Sequence, residues 1–195
     1  FYHQLLTLKK EWTFINPNDF YKITSGKKKI NKRYIMVTFD DGFKSNLIVA
    51  KKYFKKLKLK GIFFVPLKFI LLKNKKDKKD FIQKNLKLEK MSSNMNNLNT
   101  DDIKKIMHLN NIIGAHTYSH VNLKKIKNKR KLYFEIIGSA NKLEKILKTK
   151  ILNFSFNFGR LKDISPEILN LSKKRFKYIF TGIRGENINS KKFLS

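Results

Sequence analysis

The sequence predicts an α/β fold built on parallel strands, arranged as a sheet or barrel flanked by helices. Three observations lead there. Short continuous apolar runs, the mark of strands buried on both faces, recur along the chain, as in YIMVTF from Tyr34 to Phe39. Between them lie stretches whose apolar residues recur at spacings of three and four, the period of an amphipathic helix. Strands that alternate with helices need crossover connections, and crossovers make parallel pairs. At 195 residues, 41% hydrophobic and 13% aromatic, the chain can bury one sizeable core, and a single domain spanning 1–195 is expected.

The elements follow in order. The opening FYHQLLTLKKEWTF lacks the basic-then-apolar order of a signal peptide, and no apolar run approaches the roughly 20 residues of a membrane span. The compartment is left open, with the cytoplasm favoured. After the strand Tyr34 to Phe39, SNLIVAKKYFKKLKLK spaces Leu47, Ala50, Phe54 and Leu57 along one helical face, and Gly61 is expected to end that helix. IFFVPL is the next strand. From Lys73 to Asn99 the chain is rich in Lys, Asn and Ser with little periodicity. This predicts an insertion or mobile loop, with KNKKDKKD (Lys73 to Asp80) solvated and a short helix around Phe81 to Leu88. TDDIKKIMHL predicts a helix capped by Thr100, with two carboxylates at the positive end of its dipole. NIIGAHT is strand-like, KRKLYFEIIGSANKLEKILKTK a long helix and ILNFSFNFG a further strand. SPEILNLSKKRF begins with Ser165 as cap and Pro166 at the first helical position, and KYIFTGI closes the series.

Charge is the most conspicuous feature of the composition. There are 45 Lys and Arg against 14 Asp and Glu, a formal net charge of +31. Such an excess attracts phosphate backbones, but it is mostly Lys, spread along the chain with many Asn, Ile and Phe, as A- and T-rich codons produce. No specific nucleic-acid partner is therefore expected, although charge alone keeps that class open. There is no cysteine, so any metal must be held by His, Asp or Glu.

Against this background the stretch MVTFDDGFKSN sets Asp40 and Asp41 side by side before Gly42. In parallel α/β folds functional groups gather at the carboxyl ends of strands, where Asp40, Asp41, His116, His120 and Phe158 are all expected. His116 and His120, four apart in HTYSH, would share one side of a helical turn. Two imidazoles and a carboxylate are three ligands of a tetrahedral zinc site with its fourth position open, and a second carboxylate could take a proton from water there. An Asp pair before Gly is commonly a solvated turn, and paired His residues are commonly structural. Their joint placement after separate strands favours a metal site.

These residues resemble the polysaccharide deacetylases, carbohydrate esterase family 4, which carry a NodB-homology domain. The family's Thr-Phe-Asp-Asp-Gly motif is present as Thr38, Phe39, Asp40, Asp41 and Gly42, and its His-Ser/Thr-x-x-His motif as His116 to His120. LKLKGIFFV and NPNDFYKITSGKK match the flanks, so the resemblance runs from about Phe14 to about Asn187. It implies a distorted, incomplete (β/α)7-type TIM-like barrel and a metal-dependent amide hydrolase removing N-acetyl groups from a polysaccharide or oligosaccharide. Asp40 matches the catalytic base, while Asp41, His116 and His120 match ligands of Zn2+ or another divalent transition metal. In FSFNFGR, Phe158 aligns with the aromatic residue whose backbone N–H stabilises the oxyanion. Asn157 stands where the family has proline and Ser155 where it has arginine; Arg160 is not assigned the arginine's role.

The single domain is expected to lack the family's C-terminal motifs. Neither the Asp/Trp motif nor the late Leu-x-His that supplies a general acid is found after Phe176, and the only Trp is Trp12. A deacetylase-like carbohydrate-binding protein without catalysis is thus a second class that fits. Trp12 and Tyr118 are candidates for sugar contact, whereas Phe63, Phe64, Phe154 and Phe156 are expected in the core. His3 and His108 are expected to be structural or surface residues. The oligomeric state is left open.

Overall fold

The structure is a computed structural model that describes residues 1–89 and 95–184. Helix α1 (Tyr2–Glu11) leads into β1 (Thr13–Phe14) and α2 (Pro17–Thr24), which Asn16 caps by accepting the Asp19 N–H. The apolar run at Tyr34 to Phe39 then serves two sheets. Its first half, β2 (Tyr34–Ile35), pairs in parallel with β1, and its second half, β3 (Val37–Phe39), opens the main sheet. Helix α3 (45–57) follows, then β4 (Gly61–Val65) and the short α4 (Leu67–Leu71). Next come α5 (Lys75–Lys84), α6 (Thr100–His108), β5 (Ile112–Ala115) and the long α7 (129–147), which widens into a π-helical turn at Phe134–Gly138. β6 (Asn153–Ser155), α8 (Pro166–Lys173), with the predicted Ser165 cap, and β7 (Tyr178–Phe180) complete the described chain.

The main sheet runs β3-β4-β5-β6-β7, all parallel, as the alternation of strands and helices predicts. Its curl is visible in the packing of aromatic rings. Phe64 of β4 and Phe180 of β7 lie with ring centroids 5.1 Å apart, although β5 and β6 separate their strands. In a flat sheet three strand spacings would hold them about 14 Å apart. The sheet is therefore an open, incomplete barrel, and Phe64 helps to fill it. Gly114 makes room for that ring, since a Cβ on Gly114 would stand 2.3 Å from Phe64. On the outer face Phe63 stacks on Phe39, and Phe154 on Phe176. All four phenylalanines expected in the core are at most 5% exposed.

Helix α2 packs on the face of β6 and β7 that carries Asn153, Tyr178 and Phe180: Tyr21 stacks on Tyr178 at 4.1 Å, Phe20 meets Phe180, and the Tyr21 hydroxyl donates to Asn153 Oδ1. Burial pushes that hydroxyl's pKa up to about 12.

Several local expectations are corrected. Helix α3 stops at Leu57 because Lys58 takes the left-handed conformation at its C-cap, so Gly61 does not end it. Gly61 instead begins β4, where a Cβ would lie 2.5 Å from the Val37 carbonyl oxygen. The stretch Lys73 to Asp80 is not a solvated loop but enters α5, because Asn74 caps it through the N–H groups of Lys76 and Asp77, while Phe81 and Ile82 are buried. That helix ends at Lys84, so the predicted helix around Phe81 to Leu88 is displaced toward the N-terminus. Residues 90–94 of the predicted insertion lie outside the described residues. Helix α6 is capped by Asn99 rather than Thr100, through a reciprocal capping box with Asp102.

Candidate active site

The site forms at the carboxyl ends of β3, β5 and β6. After Phe39 the chain turns through Asp41 and Gly42, both left-handed with φ of 71° and 72°. Tight reversal separates the directions of the neighbouring carboxylates, as a continuing strand would also do, but it keeps both at the mouth of the barrel. The next contribution comes from HTYSH at the end of β5. The expected helical turn is absent: Thr117 and His120 both have positive φ, 62° and 54°. A loop, closed by the His120 N–H donating to Thr117 Oγ1, brings the imidazoles together with ring centroids 5.1 Å apart.

Asp41, His116 and His120 each offer a ligand atom within 4.8 Å of the others. His116 Nε2 lies 3.5 Å and His120 Nε2 3.1 Å from Asp41 Oδ1. The far side of each ring sets its tautomer. His116 Nδ1 is 2.8 Å from the Ser155 carbonyl oxygen, and His120 Nδ1 is 3.0 Å from that of Asn85. A carbonyl can only accept, so each Nδ1 carries a proton, and in the neutral rings both Nε2 lone pairs face the carboxylate. Three acceptors converging on one point fit a cation between them, and the oxygen and nitrogen set suits a divalent transition metal.

The two aspartates differ electrostatically. Burial works against the Asp41 charge, but His116 and His120, which donate to it through Nε2 when their rings are protonated, hold its carboxyl well below the usual carboxylate range. Asp40 moves the other way. The protein packed around its carboxyl strips hydration and raises its pKa, with repulsion from Asp41 adding to this and His116, Ser155 and His120 opposing it. Asp40 nonetheless keeps an exposed surface at the rim, open to an incoming molecule.

Phe158 follows β6 with φ 63°, and its ring meets His120 edge to face at 5.4 Å. Among the described residues no protein acceptor takes the Phe158 N–H. Asn157 ties the loop to the second histidine motif through its Nδ2 and the His116 carbonyl, 3.3 Å apart, and its buried Oδ1 has no partner among the described residues. Arg160 is held by Asp163 at 2.7 Å. Tyr118 packs its ring on Phe134 at 4.8 Å and against the core. Trp12 caps α1 just before β1, at the amino end of the strands, opposite the end that carries Asp40. Neither aromatic residue is therefore placed as a sugar platform. His3 and His108 are exposed, outside the cluster.

Four residues beside the site are given no role there by the sequence. Asn85, just beyond α5, accepts from His120 with its carbonyl and donates through Nδ2 to the Ser119 carbonyl at 2.7 Å. Nearby, the Lys87 ammonium sits 5.5 Å from the centre of the Phe158 ring. Ser155 anchors His116 through its carbonyl, and its side chain opposes the rise in the Asp40 pKa. Glu135, buried on α7, accepts the N–H groups of Tyr118 and Ser119. Its one signal in the sequence is a lone acid within the apolar stretch LYFEII.

A family model described as polysaccharide deacetylase matches residues 27–175. Among solved structures, IcaB from Ammonifex degensii superposes with a TM-score of 0.72 at 19% identity, covering 92% of this chain and 73% of its own. The Streptococcus pyogenes deacetylase PplD, solved with acetate, gives 0.67 at 20% identity, covering 89% of this chain and 66% of its own. BC0361, a polysaccharide deacetylase from Bacillus cereus, gives 0.68 at 23% identity over 94% of this chain. The chain spans only 50% of the length of that last neighbour. At these identities the likeness is one of fold. No curated protein matches the sequence.

Proposed function

Because the chain belongs to the polysaccharide deacetylase family, we propose that it is a metal-dependent hydrolase that removes N-acetyl groups from a polysaccharide or oligosaccharide. The same reading takes residues 1–195 as one catalytic domain. The observation that carries it is the convergence of the Asp41 carboxylate with two imidazoles whose tautomers turn their lone pairs inward. Asp41, His116 and His120 would hold Zn2+ or another divalent transition metal. Such an ion supplies a Lewis acid that polarises the acetyl carbonyl and makes water a better nucleophile at neutral pH.

The remaining work falls to the chain itself. Asp40, at the rim and with a raised proton affinity, is the base that takes a proton from the attacking water. The Phe158 N–H, left without a protein acceptor among the described residues, is offered to the oxygen that becomes negative as the carbonyl carbon turns tetrahedral. A C–O bond forms, the C–N bond breaks, and the proton lost by water balances the one gained by the departing amine. One water is consumed, and acetate and a free amino sugar are released.

Acetate release from acetylated chito-oligosaccharides, measured with the zinc content of the same samples, tests this reading. Asp40→Asn should abolish release while zinc stays near the parent level; Asp41→Ala and His120→Ala should lose zinc. Full activity in the Asp40 variant would sink the assigned mechanism. A parent that holds zinc yet releases no acetate from any glycan tried would instead make the chain a binding module.

A further inference from the structure

The loop that carries both histidines has to be held against its own backbone preferences. Thr117 and His120, neither of them glycine, both occupy the left-handed region, and such conformations persist only where surrounding contacts over-determine them. Here the grip comes from α7. Glu135 Oε2 accepts the N–H groups of Tyr118 at 3.0 Å and Ser119 at 2.9 Å, while Oε1 accepts the Ser119 hydroxyl at 2.6 Å. Glu135 is 3% exposed and stands in the π-helical turn Phe134–Gly138, the kind of local widening that re-aims a side chain. Although the chain has 45 Lys and Arg, none among the described residues forms an ion pair with it. A buried carboxylate without a cation is costly, so its three hydrogen bonds must be well made.

We infer that Glu135 is a positioning residue for the metal centre: by clamping the peptide groups of Tyr118 and Ser119 it sets where His120 stands relative to His116 and Asp41. The two histidines are the first and last residues of the clamped loop, so a shift of the clasped peptides changes the spacing of their Nε2 atoms. Reach is what matters in this role, since the carboxylate touches the loop and none of the three ligands. The inference rests on the metal-site reading above, and the test separates the two.

Glu135→Asp keeps the charge but withdraws the acceptor by about 1.5 Å, one C–C bond. Glu135→Gln keeps the reach: its carbonyl oxygen can accept both backbone N–H groups, and its amide can donate to the Ser119 hydroxyl. Zinc affinity is measured on the full chain by competition with a chromophoric chelator, below the melting range of every variant, with metal-free melting curves recorded alongside. The expected result is a loss of roughly 10- to 100-fold for Glu135→Asp, as for other groups that orient metal ligands from behind. Glu135→Gln should stay within about threefold of the parent, whatever its melting temperature. Parent-like affinity in Glu135→Asp, or a loss in Glu135→Gln as large as in Glu135→Asp, overturns the inference. Should Glu135→Asp not fold, Ser119→Ala decides: at least a threefold loss of affinity supports the clamp, and unchanged affinity overturns it. A parent chain that takes up no zinc overturns the metal-site reading, and the inference falls with it.

Discussion

Asp40 and Asp41 are chemically identical neighbours whose surroundings pull their protons in opposite directions. Asp41 faces two imidazoles that favour its charge as they protonate, whereas Asp40 loses hydration to the protein packed around it. In the metal-free protein the two carboxyls should therefore titrate on opposite sides of the ordinary aspartate value of about 4. Carboxyl NMR of the parent against Asp40→Asn checks this, and a signal lost from below that value would contradict it. The sign for function follows. Below its pKa Asp40 is protonated and cannot take a proton from water, so activity falls as pH falls through that value. A bound cation favours the ionised form and moves the acid limb down. These residues were legible in the sequence because TFDDG and HTYSH are contiguous and end apolar strands. Their partners were not. The contacts of Ser155, Asn85 and Glu135 join positions 39, 35 and 17 or 16 residues apart, and no local spacing reports a contact made by folding.

Among the elements, the alternation of strands and helices could be read from sequence, while element ends were less legible. Apolar runs survive as strands because burial on both faces demands them. Ends depend on single caps: Lys58 rather than Gly61 stops α3, and Asn99 rather than Thr100 starts α6. Helix α5 was hidden because its exposed turns are nearly all Lys and Asp, leaving Phe81 and Ile82 as its only buried anchors. Gly61, misread as a helix stop, is instead a packing requirement between β3 and β4. Gly61→Ala would press a methyl against the Val37 carbonyl, a backbone atom that cannot rotate away. We expect a loss of roughly 2 kcal/mol or more in urea unfolding, and a shift of the β3 end that carries the aspartates. A change below ~0.5 kcal/mol would show that the two strands separate freely. A second device joins α7 to the strand that follows. Glu144 accepts the Ile151 N–H and pairs with Arg175, each at 2.8 Å. Burial alone would raise its pKa, but these partners hold it below the ordinary glutamate value. Its stabilisation is therefore present above the unfolded value and lost as pH falls through the folded one. Glu144→Gln should melt with a shallower pH dependence than the parent between about pH 5 and pH 3; parallel curves would deny the pairing any role.

The described residues set a five-stranded parallel sheet, with a two-stranded one beside it, inside a strongly cationic surface. The excess positive charge is spread along the sequence, in exposed segments such as α5 and the lysines of α3 as well as beside the site. Like charges distributed in this way repel one another in the compact state more than in the expanded one, so charge opposes folding here rather than directing it. Salt should relieve the repulsion. Between ~0.01 M and ~0.15 M the screening length falls from about 30 Å to about 8 Å, from the scale of the whole domain to that of neighbouring side chains. The Lys28–Asp19 and Lys84–Asp80 pairs that salt would weaken join exposed or partly exposed groups and contribute little each. The balance predicts a melting temperature that rises with sodium chloride across this range, by several degrees for a domain of this size if the relief amounts to about 2 kcal/mol. Scanning calorimetry of the metal-free chain measures it, and the proposed single domain requires one transition at every salt concentration. Asp41→Ala should rise in parallel with the parent, because the repulsion belongs to the whole surface and not to the site. A melting temperature that falls with salt would show instead that favourable pairing outweighs the repulsion expected from a net charge of +31.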